Sequence, residues 1–254
     1  MKKPLVVANW KMYVEKPEVA KKFVVSLKRK LRTLPADIVL APGFTLVPTV
    51  SLATKGSSVR VAGQTLSVYT DGPHTGDVSA VMLKAAGATW VIVGHSERRS
   101  NLHETNDVVR AQIESAHEAG LVVVLCVGEL ERDPSGAHFS VIAQQLTSAL
   151  ANGGTKILAK KIVVAYEPVW AIGKNAAEAV HPTDLREMVI FIRKNLADIL
   201  GRSVGVKIPI LYGGSVDASN AAELLKEGDI AGFLVGRASA DIDSFTEILR
   251  VCKK

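Results

Sequence analysis

The sequence predicts the α/β class and, within it, a single (β/α)8 barrel. Eight short apolar runs rich in Val, Ile and Leu recur along the chain, separated by longer stretches of helical period, which is the alternation of strands and crossover helices. Most of these runs are continuously apolar, as suits parallel strands covered on both faces. The length, 254 residues, is close to what one such barrel needs. A doubly wound sheet is the competing architecture, but neither G-x-G-x-x-G nor G-x-x-x-x-G-K-[ST] occurs in the chain. No Pro/Ser linker or shift of composition divides the sequence, so residues 1–254 are read as one domain.

The expected strands are Leu5–Trp10, Asp37–Ala41, Val59–Gln64, Trp90–His95, Val122–Val127, Ile162–Glu167, Lys207–Tyr212 and Ile230–Val235. Between them, Pro17–Arg32 places Ala20, Phe23, Val24, Leu27 and Leu31 at helical spacing. Thr105–Ala119 opens on a capping Thr with Asp107 in the first turn. Thr183–Leu200 begins after Pro182 and is apolar at Leu185, Val189, Ile192 and Leu196; Ala218–Lys226 follows Asp217 as a capping candidate and precedes Gly228.

Composition narrows the function. Apolar residues make up 48% and charged residues 22%, an ordinary globular balance. Two cysteines, Cys126 and Cys252, do not make a disulfide scaffold, and Cys126 is expected to pack inside strand 5. The start of the chain lacks the long apolar stretch of a secretory signal, and no run is long enough to span a membrane, so the chain is expected to be cytoplasmic, with no membrane partner. The net charge is +6, but the basic residues are dispersed and aromatics are only 5%, which argues against a nucleic-acid partner. None of the six histidines forms a cluster with metal-ligand spacing, so no metal is expected.

In a barrel of this kind the reactive residues stand at the C-terminal ends of the strands. There the sequence puts Asn9 and Lys11, then His95-Ser96-Glu97, then Glu167, then Gly213-Gly214-Ser215 and Gly236-Arg237. Each has a bland reading alone: a solvated carboxylate, a hydrogen-bonded structural histidine, a surface lysine. Together they bring a cation, an imidazole, a carboxylate and two glycine-containing turns to one mouth. A carboxylate walled by apolar groups is a stronger base, able to take a proton from carbon beside a carbonyl. An imidazole facing a helix's first N–H groups favours its neutral form and can polarise that carbonyl. Lys11 supplies positive charge for a phosphate and a developing oxyanion.

The segments Asn9-Trp10-Lys11-Met12, Thr75-Gly76-Asp77-Val78-Ser79, Val93 to Arg99, Leu125 to Glu129, Ala165 to Gly173, Tyr212 to Val216 and Leu234-Val235-Gly236 resemble the motifs of the triosephosphate isomerase family, end to end and in order. The resemblance implies a TIM barrel that interconverts dihydroxyacetone phosphate and D-glyceraldehyde 3-phosphate without a cofactor, in glycolysis and gluconeogenesis. It implies Glu167 as the proton-shuttling base, His95 as the electrophile and Lys11, with Asn9, as electrostatic support. Ser96 and Glu97 match residues that orient the base and the lysine. Gly173, Ser215 and Gly236 match donors to the phosphate. Thr75 matches the tip of a loop that enters a partner subunit, implying a homodimer.

Several positions depart from the family. Arg237 stands where a second glycine is usual; a positive φ there would cost a non-glycine residue about 1–3 kcal/mol, whereas Arg237 could instead add charge near the phosphate. Lys174-Asn175-Ala176 follows Gly173 where the usual lid sequence has a further glycine and a Lys-Thr pair, and the run to Pro182 is longer than usual. A lid with another hinge could let the enediolate leak toward phosphate elimination. Asp77 replaces a glutamate and His74 another aromatic ring on the interface loop. Arg237 and the altered lid are the only support for an alternative, a catalytically weakened barrel serving as a binding protein.

Overall fold

In a computed structural model that describes residues 3–30, 35–150, 161–173 and 180–252, eight parallel strands close on themselves in chain order. They are β1 (Leu5–Asn9), β2 (Asp37–Ala41), β3 (Arg60–Gly63), β4 (Trp90–Val93), β5 (Val122–Val127), β6 (Ile162–Tyr166), β7 (Ile210–Tyr212) and β8 (Gly232–Val235). Closure is direct: Val6 of β1 pairs with Ile38 of β2 on one side and Phe233 of β8 on the other, so no strand edge is left open.

The strands carry two apolar faces. Val7, Val39, Ile92, Val124, Cys126 and Leu211 fill the lumen. Their neighbours Val6, Ile38, Val91, Val123 and Leu125 point outward and pack under the helices. That double burial explains why the strands read as continuous apolar runs. Cys126 is buried inside the barrel, as expected from its place in β5. Trp90, the first residue of β4, belongs to the same lumen cluster, with the Arg60 guanidinium 5.2 Å above its ring.

Ten helices among the described residues surround this barrel: α1 (Pro17–Lys30), α2 (Val47–Thr54), α3 (Ala80–Ala85), α4 (Ser96–Leu102), α5 (Asn106–Glu118), α6 (Ala137–Leu150), α7 (Pro182–Leu200), α8 (Arg202–Gly205), α9 (Ala221–Glu227) and α10 (Ile242–Val251). Thr105 caps α5 through its hydroxyl, which accepts from the Val108 N–H at 3.3 Å. Asp217 does not cap α9. Its carboxylate accepts from the N–H groups of Ser219 and Asn220, a local turn that delays the helix to Ala221. No described helix is long and apolar enough to cross a membrane.

Several strands stop short of the expected ends, and most of the differences lie at the mouth. β1 ends at Asn9 because Lys11 turns the chain with φ 47°, and β4 ends at Val93 because Gly94 turns it with φ 69°. At the opposite end, Lys207 and Ile208 form hydrogen-bonded turns to Val204 and Gly205, and Pro209 offers no N–H to a ladder, so β7 begins only at Ile210.

Candidate active site

Asn9, Lys11, His95, Glu167, Gly173, Ser215, Gly236 and Arg237 line one cavity of about 450 Å³ at the C-terminal mouth. Residues up to 228 positions apart in sequence are gathered there because each follows the end of its strand. Ser96 and Glu97 stand just behind this cavity and hold three of its members. Thr75 is exposed on the loop after β3 and contributes nothing to the cavity of its own chain.

Glu167 is 2% exposed. Its main chain is held by the Glu167 N–H donating to the Val127 carbonyl at 2.8 Å. Two glycines then crowd it: a Cβ on Gly128 would lie 1.8 Å from the Glu167 carbonyl oxygen, and one on Gly213 would lie 2.8 Å from Glu167 Cγ. Oε2 accepts from the Ser96 N–H at 2.9 Å, and Oε1 lies 3.1 Å from His95 Nε2. Below it, burial and then the Glu167 charge push the Cys126 thiol well above its ordinary range.

His95 is the N-cap of α4, and its Nδ1 accepts from the Glu97 N–H at 3.2 Å. A backbone N–H can only donate, so Nδ1 bears the lone pair and the ring proton sits on Nε2, facing Glu167 and the cavity. Lys11 adopts its left-handed backbone with its N–H bonded to Asn9 Oδ1 at 3.1 Å and its carbonyl accepting from Gln64 Nε2 at 2.9 Å. Its Nζ reaches Glu97 Oε1 at 2.5 Å.

On the opposite wall, Ser215 Oγ donates to the Ala171 carbonyl at 3.0 Å, and Gly173 takes φ 77°. Arg237 opens a short 3-10 turn, Arg237–Ala240, and has no positive φ; among the described residues only Lys11, His103 and Asp229 do so without being glycine. The backbone cost considered for this position therefore does not arise. Lys174, Asn175 and Ala176 lie outside the described residues.

Four contributors carry no role in the sequence reading. Gln64 pins the β1 turn by bonding both Lys11 and Ala41 carbonyls at 2.9 Å. Glu129 is buried, and its Oε1 accepts from Tyr166 Oη at 2.8 Å and Trp170 Nε1 at 2.9 Å, tying the segment after β6 to the end of β5. Burial and the Glu129 carboxylate push the Tyr166 phenol upward. A carboxylate two residues past the end of a buried strand is the available signal for Glu129; its partners are 37 and 41 residues away, which spacing alone does not reveal.

Comparison with known proteins points the same way as this geometry. The family model described as triosephosphate isomerase matches residues 4–252. The chain belongs to the triosephosphate isomerase family. It is 39% identical to the triosephosphate isomerase of Carboxydothermus hydrogenoformans over 98% of this chain and 99% of that one, and 42% identical to that of Brucella abortus over 97% and 95%. The crystal structure of the Bartonella henselae triosephosphate isomerase superposes with a TM-score of 0.88 at 36% identity, covering 99% of this chain and 100% of that one. Like these relatives, the chain is a TIM-barrel isomerase.

Proposed function

We propose that the chain interconverts dihydroxyacetone phosphate and D-glyceraldehyde 3-phosphate by proton transfer through an enediolate, with no cofactor. The observation that carries this reading is the buried Glu167 carboxylate facing the Nε2–H of His95 across 3.1 Å at the cavity floor. Glu167 takes a proton from C1 of the ketone as the carbonyl electrons move onto oxygen. The Nε2–H of His95 and the ammonium of Lys11 stabilise that oxygen, and Asn9 holds the turn that presents Lys11. The acid so formed returns a proton to C2, and a proton shift between the two oxygens completes the aldehyde. Ser96 and Glu97 orient the base, the imidazole and the lysine through the contacts above. The phosphate lies against Gly173, Ser215, Gly236 and Arg237.

Assay of glyceraldehyde 3-phosphate isomerisation with a coupling dehydrogenase, beside Glu167→Ala, tests this. Turnover that is abolished in the variant while phosphate binding survives supports the reading; equal loss of both counts against Glu167 as base. Arg237 is unstrained, so of the two site features behind a weakened barrel only the lid segment is left.

We read the assembly as a homodimer. Met12, Tyr69, Met82 and Leu102 are exposed apolar side chains around the mouth-side loops. The Thr75 loop is stiffened for insertion into a partner by the Ser67–Asp77 hydrogen bond and by Tyr69 stacked on His74 at 3.5 Å. We read the enzyme as cytoplasmic, a reading supported by the glycolytic role that the family implies.

A further inference from the structure

We propose that the Arg237 guanidinium is a second phosphate anchor, held against the Tyr13 ring and released to a phosphate that enters the cavity. The assignment rests on the reading of this cavity as a triose phosphate site, and it makes Arg237 a specificity-determining residue of this chain for the phosphate dianion.

The backbone at this position is fixed, and the side chain rests against the Tyr13 ring. Ser239 donates its hydroxyl to the Gly236 carbonyl at 2.7 Å and to the Val235 carbonyl at 3.0 Å, and its N–H bonds Gly236 at 2.8 Å. Trp10 Nε1 donates to the Ser239 carbonyl at 3.0 Å, locking this turn onto β1. Arg237 itself is exposed, lines the cavity beside Lys11, Ser215 and Gly236, and its guanidinium carbon lies 5.9 Å from the Tyr13 ring centroid. That distance is near the outer limit of a cation–π contact, and a guanidinium lying on a ring keeps its N–H donors available.

Charge decides the role. Lys11, the other cation of the mouth, is compensated by Glu97 at 2.5 Å. Arg237 makes no ion pair among the described residues. The two aspartates that line the same cavity are engaged elsewhere: Asp217 by Ser219 and Asn220, Asp241 by the Ser244 N–H at 2.9 Å. Among the described residues Arg237 is therefore a cation beside Gly236 that no carboxylate pairs. A weak ring contact is easily exchanged for a phosphate, whose oxygens match the planar guanidinium fork two at a time. The anchor adds affinity for a doubly charged phosphate over its singly charged form, and for phosphorylated over unphosphorylated trioses.

The test uses Arg237→Gln, Arg237→Lys and Tyr13→Leu in the full chain, with inorganic phosphate as probe by 31P line broadening and as competitive inhibitor. Arg237→Gln is expected to weaken inorganic phosphate about tenfold, equal to about 1.4 kcal/mol, and to flatten the salt dependence of binding. Its kcat/KM should fall more on glyceraldehyde 3-phosphate than on D-glyceraldehyde. Arg237→Lys should recover part of the loss, and Tyr13→Leu should leave phosphate bound at least as tightly as in the parent. Unchanged phosphate binding in Arg237→Gln overturns the anchor while isomerase turnover stands. Phosphate binding that depends on Arg237 in a parent chain without turnover keeps the anchor and removes the isomerase reading. Equal losses on phosphorylated and unphosphorylated substrate also overturn the anchor, because they mark a structural effect.

Discussion

Glu167 Oε1 and His95 Nε2 stand 3.1 Å apart, and the far side of each group is held by consecutive main-chain N–H groups: Ser96 on Glu167 Oε2 and Glu97 on His95 Nδ1. The first turn of α4 thus sets the orientation of both groups and the tautomer of one. The expected 15N spectrum has a protonated Nε2 and an unprotonated Nδ1 for His95 at neutral pH; a proton on Nδ1 would contradict the geometry. Removal of this donor in His95→Ala should lower kcat by about 100- to 1000-fold, the usual cost of losing one oxyanion donor.

Lys11 illustrates function held against stability. A lysine at φ 47° costs about 1–3 kcal/mol relative to a residue at ease there, and its ion pair with the half-exposed Glu97 returns little. Lys11→Gly relieves the backbone, although the glycine's looser unfolded chain offsets about 0.4–1 kcal/mol of it. The variant should melt at or about 2 °C above the parent by calorimetry while losing most turnover. A variant that melts well below the parent would mean that the Nζ contact, not the backbone, dominates.

The glycines at the strand ends make a stricter prediction. Gly128→Ala sets a methyl group 1.8 Å from the Glu167 carbonyl oxygen, a backbone atom with little room to yield. Overpacking of this kind costs about 3 kcal/mol, or a fall in Tm of about 6–12 °C for a chain of this size. The ends of β5 and β6 must also part, so turnover should fall more than stability alone explains. Parent-like melting and turnover would mean the two strand ends move apart freely.

Much of this was legible in the sequence because barrel geometry turns strand order into position. Once Glu167, His95 and Lys11 were placed at the ends of β6, β4 and β1, their meeting followed from closure. The residues that stayed hidden act across the barrel by side-chain reach. Gln64 bonds main-chain carbonyls 23 and 53 residues away, and Glu129 joins Tyr166 to Trp170. The overlong strands have the same root: apolar pattern says where a strand can continue, whereas Lys11 and Gly94 leave it through φ values that hydropathy does not encode. Asp217 reads as a helix cap because the local turn it forms with Ser219 and Asn220 uses the same side-chain chemistry as a cap.

Alkaline pH should expose the buried acids. Burial pushes the Cys252 thiol from 9.0 to about 12 and the Tyr212 phenol from 10.0 to about 12, and burial together with Glu167 raises Cys126. Each group ionises more readily in the unfolded chain. Its contribution to stability is whole below the unfolded value and is lost as pH rises toward the folded one. Stability should therefore hold up to about pH 9 and fall steadily between about 9 and 12, followed by denaturant midpoints across that range. At about pH 8 neither thiol should react with a disulfide reagent in the native protein, because burial withholds both access and the thiolate, whereas both should react after unfolding. Rapid labelling of one thiol in the folded chain would show that its site opens locally, and a stability profile flat to about pH 12 would show that these groups are not desolvated as the packing requires.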